Sequence, residues 1–215
     1  MELTVDGLLE LAPVIPVVVV DDAEAAVGLA QALVAGGLPA IEITLRTPDA
    51  VLAIAAIADA VPGAIVGAGT VTTCRQAGEA LGAGARFLVS PGQTPALLDA
   101  LQSSTLPFLA GAATASDLVA LRERGISTAK LFPAEALGGP TLLKAFGGPF
   151  PEMRFCPTGG IDAARAPDYL ALSNVACVGG SWMVPPEAVA RHDWDAIERA
   201  ARGAAALGRV PTPSP

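Results

Sequence analysis

A lysine within an otherwise apolar strand is the most chemically suggestive residue of this sequence. Lys130 lies between Ala129 and Leu131 in a short run that ends at Pro133, and strand alternation places Lys130 and Phe132 on one face. Burial disfavours the charged form of an amine, and the uncharged amine is the form that attacks a carbonyl carbon. The position therefore predicts Schiff-base chemistry.

The cation usage of the chain supports this hypothesis. Only two lysines, Lys130 and Lys144, occur among 13 lysine and arginine residues. The sequence prefers arginine for its positive charges, which favours a chemical reason for Lys130. The structural alternative is a strand-end lysine whose stem lies on apolar surface while its amine reaches solvent.

The segment 40–46 alternates between apolar and polar residues, with Glu42, Thr44 and Arg46 on the polar face. If helices cover the apolar face, these three residues point into the protein, where each charge needs a partner to offset its desolvation. A buried ion pair of Glu42 with Arg46 would satisfy that need without catalysis. With Lys130 on the same inner surface, Glu42 is a candidate general acid and base. Arg46 is then a candidate clamp for a carboxylate.

Glycine-rich turns supply the remaining candidates. One turn ends at Thr70, whose hydroxyl could bond a ligand, and Pro91 could form an apolar wall. The pairs Gly159–Gly160 and Gly179–Gly180 each precede a helical segment, an arrangement in which backbone N–H groups bind anions. Tight turns that need a positive φ explain either pair alone. The two pairs together predict a phosphate site.

The elements that must position these residues repeat along the chain. Eight strand segments, each followed by a helical segment, predict an α/β protein, a single (β/α)8 TIM barrel over residues 1–210 with a short proline-rich tail at 211–215. A doubly wound open sheet competes, but polar residues at so many strand ends favour closure, with the active site at the carboxyl ends of the strands. The strands are predicted at 15–20, 40–46, 64–69, 86–90, 107–110, the run carrying Lys130, 153–157 and 175–179. The helix after the seventh strand is predicted at 161–171, and the last helix at 186–207.

Composition excludes several classes of function. A net charge of −8 without a basic run argues against nucleic-acid binding. Cys74, Cys156 and Cys177 lack CxxC spacing and indicate reduced, mostly buried thiols of a cytoplasmic protein. His192 is the only histidine, so the sequence offers no ligand set typical of a metal site. The N-terminus has no signal-peptide pattern, and the apolar run 11–20 is too short to span a membrane.

Six segments in order carry a resemblance to a known family. Together they are similar to the 2-keto-3-deoxy-6-phosphogluconate (KDPG) aldolases, class I enzymes of the Entner–Doudoroff pathway that often also act on 4-hydroxy-2-oxoglutarate. The match runs in register from about Val14 to the final helix. The segments are EITLRT (42–47), GAGTV (67–71), SPG (90–92), KLFPAE (130–135), FCPTGGI (155–161) and GGSW (179–182).

The resemblance implies a role for each candidate residue. Lys130 would form a covalent imine with C2 of a phosphorylated 2-keto acid, and Glu42 would move protons. Arg46 and Thr70 would hold the pyruvate carboxylate. The reaction would yield pyruvate and glyceraldehyde 3-phosphate without a metal or cofactor, and the family is typically a homotrimer. Pocket walls would be Pro91, Phe132 and Thr158, and the phosphate would be received by Gly159, Gly160, Gly180 and Ser181.

Several alternatives remain at this stage. The main substrate could be 4-hydroxy-2-oxoglutarate or the galactonate epimer, the aldolase could depend on a metal, or the protein could be a non-catalytic barrel that binds phosphorylated ligands. Two segments depart from the family pattern. Ala110 stands where relatives often have proline, so that part of the pocket wall could differ, and Asp21 and Asp22 stand where some relatives carry basic residues.

Overall fold

The fold was obtained as a computed structural model that describes residues 3–208. Eight parallel strands are hydrogen-bonded in the order β7-β6-β5-β4-β3-β2-β1-β8. Bridges between Phe155 and Val175 and between Thr158 and Gly179 join the two end strands. The sheet therefore closes, which confirms the predicted (β/α)8 barrel and rejects the open sheet. The strands are β1 (Val14–Val18), β2 (Ala40–Thr44), β3 (Ile65–Gly69), β4 (Leu88–Val89), β5 (Phe108–Ala112), β6 (Thr128–Leu131), β7 (Arg154–Phe155) and β8 (Val178–Gly180).

Ten α-helices and one 3₁₀ turn, Glu135–Leu137, accompany the strands in the described part of the chain. One helix precedes β1, and the others pack outside the barrel or follow β8. Within residues 3–208, no helix combines the length and the apolarity needed to cross a membrane. The helices are α1 (Val5–Glu10), α2 (Ala23–Ala35), α3 (Ala50–Ala60), α4 (Cys74–Gly82), α5 (Pro95–Ser103), α6 (Ala115–Glu123), α7 (Gly139–Phe146), α8 (Ala166–Leu170), α9 (Pro186–Ala190) and α10 (Trp194–Ala205).

Threonine caps fix three of the turns at the carboxyl end of the barrel. Thr73, Thr94 and Thr114 each precede a helix, and each hydroxyl oxygen accepts a hydrogen bond from a backbone N–H in the first turn. This satisfies a donor that the helix cannot pair internally. The turns after β3, β4 and β5 are therefore short and fixed, and they place their residues at one rim of the barrel.

Helix α1 closes the opposite end of the barrel. Leu8 and Leu9 are 1% and 0% exposed and join an apolar cluster formed by inward-facing residues near the strand beginnings. Arg154 Nη1 lies 2.8 Å from Asp6 Oδ1, which ties α1 to β7. Cys156 and Cys177 are buried in the same cluster as free thiols, whereas Cys74 is exposed, so the prediction of mostly buried cysteines is confirmed.

Helix α10 lies against α2, and small residues allow their close approach. A Cβ atom on Gly36 would lie 2.4 Å from the Cβ of Ala201, and one on Gly28 would meet the indole ring of Trp194. Gly37, just before β2, lies next to Ala205 at the end of α10. The two helices therefore run in the same direction, and α10 ends at the side of the barrel that α1 closes.

The structure corrects two predicted helices. The single helix expected over 186–207 is wrong, because His192 has a φ of 52° and Asp193 caps a new helix by accepting from Ala196 N–H. His192 is exposed and stacks on Trp194. The helix expected over 161–171 starts only at Ala166 because the preceding residues form a turn. The predicted tail, 211–215, lies outside the described residues.

Candidate active site

A buried ion pair lies at the centre of the barrel. Lys130 Nζ, from β6, lies 3.0 Å from Oε1 and 3.5 Å from Oε2 of Glu42, from β2. These strands lie on opposite sides of the closed sheet, and the two residues are only 5% and 3% exposed. Lys130 is therefore not a lysine that reaches solvent. The structural alternative of a Glu42–Arg46 ion pair is also wrong, since Lys130 is the partner of Glu42.

Glycines on neighbouring strands make room for this pair. A Cβ atom on Gly69 would lie 2.1 Å from Glu42 Oε1, and one on Gly67 would meet the ring of Phe87. Gly111 is the register partner of Lys130, and a Cβ atom there would lie 2.3 Å from the carbonyl oxygen of Pro91. Gly67 and Gly69 therefore accommodate the protein's own side chains.

Phe132 connects the amine to the glycine turn after β7. Lys130 Nζ lies 5.4 Å from the centroid of the half-buried Phe132 ring, within the range of a cation–π interaction. The same ring lies close to Gly159, where a Cβ atom would be 3.3 Å from Phe132 Cε2. The predicted common face of Lys130 and Phe132 is confirmed, and Phe132 lies between Lys130 and the turn that contains Gly159.

Arg46 does not lie on a strand, which corrects one prediction. Strand β2 ends at Thr44, which is fully buried and donates from Oγ1 to the carbonyl oxygen of Val18 at 3.0 Å. Arg46 follows in an exposed turn, and its Nε donates to Thr70 Oγ1 at 3.3 Å. Thr70 has a φ of 58°, unusual for a residue with a side chain. Arg46 and Thr70 therefore meet at the barrel mouth instead of inside it.

Of the two residues considered for the pocket wall near β5, Pro91 lies close to Lys130 and Ala110 does not. Pro91 is half-buried and lies beside Gly111. Gly111 is the residue of β5 that pairs with Lys130 of β6, so Pro91 lies close to Lys130. Ala110 faces the other way and packs with Ala129 in the cluster between strands and helices. The expectation that Ala110 alters the pocket wall is therefore wrong, because alternation along β5 points it towards the helices.

The glycine turn after β7 meets β8 at the seam of the barrel. Thr158 is buried, and a Cβ atom on Gly179 would lie 2.3 Å from its Oγ1. Gly179 and Gly180 belong to β8, so their prediction as a turn is wrong. Gly159 and Gly160 have φ values of 103° and 80°, conformations that favour glycine. Gly180 does not need a positive φ, and its Cβ position is blocked by the ring of Trp182.

A cavity of about 670 Å³ opens beside this seam. It lies between the end of β1, α2 and α9, and exposed Ser181 and Asp21 line it while Lys130 and Glu42 do not. Asp22 caps α2 by accepting from Glu24 and Ala25 N–H. Asp22, which stands where some relatives carry basic residues, therefore has a structural role as the cap of α2.

The model of the protein family described as KDPG and KHG aldolase matches residues 5–200. The chain belongs to this family. A KHG/KDPG aldolase of Escherichia coli K12 is 51% identical over 199 residues, which cover 93% of each chain. A 2-dehydro-3-deoxy-phosphogluconate aldolase of Dickeya dadantii is 50% identical over 201 residues, which cover 94% of each chain.

Solved structures of KDPG aldolases share the fold over nearly the whole chain. The Legionella pneumophila enzyme, with pyruvate captured as a covalent carbinolamine, is 45% identical with a TM-score of 0.92, covering 94% of this chain and 98% of its own. The Zymomonas mobilis ZM4 enzyme with 3-phosphoglycerate is 42% identical with a TM-score of 0.93, covering 99% and 100%.

Two residues that contact the site region of this family member escaped the sequence analysis. Glu135 belongs to a segment quoted for the resemblance but received no role, and Tyr169 was not considered. Their side chains are hydrogen-bonded across 34 positions of sequence. A possible signal was that Tyr169 is the only tyrosine of the chain, since a buried tyrosine hydroxyl requires a partner.

Potential metal ligands are dispersed in this aldolase family member. Within residues 3–208, no group of three or more His, Cys, Asp or Glu residues is arranged to hold a metal ion. The carboxylate at the barrel centre, Glu42, is paired with an amine.

Proposed function

We propose that this protein is a class I aldolase that reversibly cleaves 2-keto-3-deoxy-6-phosphogluconate into pyruvate and glyceraldehyde 3-phosphate. The observation that carries the proposal is the buried contact of 3.0 Å between Lys130 Nζ and Glu42 Oε1. One proton transfer along this contact produces an uncharged amine and a protonated acid. These are the nucleophile and the proton donor that imine formation requires.

The reaction begins when the uncharged amine of Lys130 attacks C2 of the keto acid and forms a carbinolamine. Glu42 gives a proton to the C2 hydroxyl, which leaves as water, and the protonated imine remains. The imine accepts the electron pair of the C3–C4 bond while Glu42 takes the proton of the C4 hydroxyl. The bond breaks into an enamine and an aldehyde. Protonation at C3 and hydrolysis release pyruvate and restore Lys130, and the imine itself serves as the electron sink.

The rest of the site would hold the two anionic ends of the substrate. Arg46 and Thr70 bind the pyruvate carboxylate at the mouth, where their side chains already meet. Pro91, Phe132 and Thr158 form the walls between the two ends. A Zymomonas relative solved with 3-phosphoglycerate supports a site for a phosphorylated acid. The phosphate is received by Gly159, Gly160, Gly180 and Ser181.

A second activity on 4-hydroxy-2-oxoglutarate is favoured by one observation. The Escherichia coli relative, 51% identical, carries both the KHG and the KDPG names. That substrate presents the same 2-keto acid to Lys130 and a carboxylate in place of the phosphate end. We therefore propose it as an additional substrate of the same site.

Borohydride trapping with pyruvate tests the proposed function. Reduction of the imine should leave a stable pyruvyl adduct on the peptide that contains Lys130, and the Legionella relative with a covalent pyruvate carbinolamine supports this expectation. Lys144 is exposed and provides an internal control for unspecific labelling. Intact mass and peptide mapping measure both.

The outcomes of the trapping experiment separate the alternatives. A folded protein without an adduct would reject imine catalysis and favour a barrel that only binds phosphorylated ligands. Trapping and cleavage that both survive a chelator would reject a metal-dependent aldolase.

We also propose a homotrimer that acts in the cytoplasm, in the Entner–Doudoroff pathway. A designed cage built by fusing symmetric oligomeric domains contains a chain 26% identical to this one, with a TM-score of 0.77, and supports oligomer formation. Native mass spectrometry should give the mass of three chains. A monomer at micromolar concentration would contradict the trimer.

A further inference from the structure

A network of polar side chains lies behind the glycine turn after β7. The hydroxyl of Tyr169 donates a hydrogen bond to Glu135 Oε1, and Tyr169 is fully buried. Arg165 Nε lies 3.3 Å from Glu135 Oε2, and Arg165 Nη1 lies 2.6 Å from Asp162 Oδ2. The carboxylate of Glu135 is therefore held through both of its oxygen atoms.

The main chain of Glu135 is bonded to the same turn. Ala134 N–H donates to the carbonyl oxygen of Thr158 at 2.8 Å, and Glu135 N–H donates to that of Gly159 at 3.1 Å. The segment that follows β6 and carries Phe132 is thus paired with the glycine turn. Any movement of Glu135 would be transmitted to Thr158 and Gly159.

Two glycines lie directly against the network. A Cβ atom on Gly160 would lie 2.8 Å from both Cβ and Cγ of Glu135, and one on Gly139 would lie 2.6 Å from the Tyr169 hydroxyl oxygen. Both contacts are shorter than real Cβ atoms tolerate, so the side chains of Glu135 and Tyr169 fill the space behind the turn.

Electrostatics keep the Tyr169 hydroxyl protonated. Burial, followed by the hydrogen bond to Glu135 and the charge of that residue, raises the pKa of Tyr169 far above its usual range. Tyr169 is therefore a hydrogen-bond donor at neutral pH. The positive charge of Arg165 offsets the negative charge of the Glu135 carboxylate. This matters because Glu135 lies close to the turn that we expect to receive the phosphate.

We propose that Glu135 is a positioning residue that presets the turn Thr158–Gly160 for the phosphate end of the substrate, with Tyr169 and Arg165 fixing its carboxylate. This inference rests on the proposed phosphate-binding role of that turn. The bonds of the network do not include Lys130 or Glu42, which are paired with each other. Its loss should weaken recognition of the phosphate and leave imine formation intact.

Tyr169→Phe tests the proposal because it removes only the hydroxyl group. We expect the KM for 2-keto-3-deoxy-6-phosphogluconate to rise roughly ten- to hundredfold, the effect of a lost hydrogen bond to a charged group. Two quantities should change less than about twofold. One is the KM for 2-keto-3-deoxygluconate, which lacks the phosphate, and the other is the rate of pyruvate trapping. The matched control is Glu198→Gln, which breaks an exposed ion pair with Arg202 on α10 and should alter neither KM.

Four results would contradict the inference or the premise on which it rests. Equal losses for both substrates in Tyr169→Phe would indicate a merely structural network, and an unchanged KM for the phosphorylated substrate would also reject it. If Tyr169→Phe does not fold, Arg165→Gln is the second variant, because the Arg165 side chain is half-exposed. It should raise the KM for the phosphorylated substrate roughly two- to fivefold. An unchanged KM in Arg165→Gln would contradict the proposal. A native enzyme with the same KM for both substrates would instead remove the phosphate assignment, which is part of the proposed function.

Discussion

Replacing Lys130 with alanine is expected to abolish aldol cleavage, with kcat lower by roughly 10⁴- to 10⁶-fold, as for the loss of a covalent nucleophile. The chain has only one other lysine, Lys144, which lies exposed at the end of α7 and cannot replace the amine at the barrel centre. Release of pyruvate from the phosphorylated keto acid, followed with a coupled lactate dehydrogenase, measures the loss.

The fold of this variant must be checked, because Glu42 would remain buried without its partner. Breaking a buried ion pair from one side destabilises proteins by about 3–5 kcal/mol. Thermal unfolding of Lys130→Met, which restores most of the side-chain volume, separates lost catalysis from lost structure. Lys144→Ala is the matched control and should keep full kcat. Retention of more than about 1% of the activity by folded Lys130→Ala would refute the imine mechanism.

Glu42→Gln is expected to lower kcat by about 10²- to 10⁴-fold, the usual contribution of a general acid and base. Glutamine has nearly the same shape and can still accept a hydrogen bond from Lys130, but it cannot carry a proton. Borohydride trapping of pyruvate on Lys130 should therefore persist, although more slowly. Steady-state cleavage and the time course of trapping measure the two effects separately.

Glu42→Asp is the companion variant, because it keeps the carboxylate on a side chain one methylene shorter. It should recover part of the activity that Glu42→Gln loses. If Glu42→Gln cleaved substrate at the native rate, Glu42 would be only a counter-ion that holds Lys130 in place.

The sequence allowed the inward direction of Glu42 and Lys130 to be predicted, because alternation along a covered strand leaves only one polar face. It did not allow their contact to be predicted, since the two residues are 88 positions apart and meet only when the sheet closes. Arg46 was misplaced because the alternating pattern continues past Thr44 although the strand does not.

Other errors arose from conformations that a residue type does not reveal. The apolar pattern of 186–207 continues through a break that depends on the φ of His192 and on the cap formed by Asp193. The network of Glu135 and Tyr169 was missed for a different reason. It joins two segments that no local pattern connects, and the fold alone brings them together.

The closed end of the barrel has a practical consequence. The first described helix, α1, fills that end, and the last, α10, finishes beside Gly37 at the same end. A fusion partner, an affinity tag or a solid support attached near either end of the described chain would therefore emerge on the face opposite Lys130. Such an attachment leaves the substrate's path open, so the fold is well suited to immobilised or scaffolded synthesis of chiral hydroxy-keto acids.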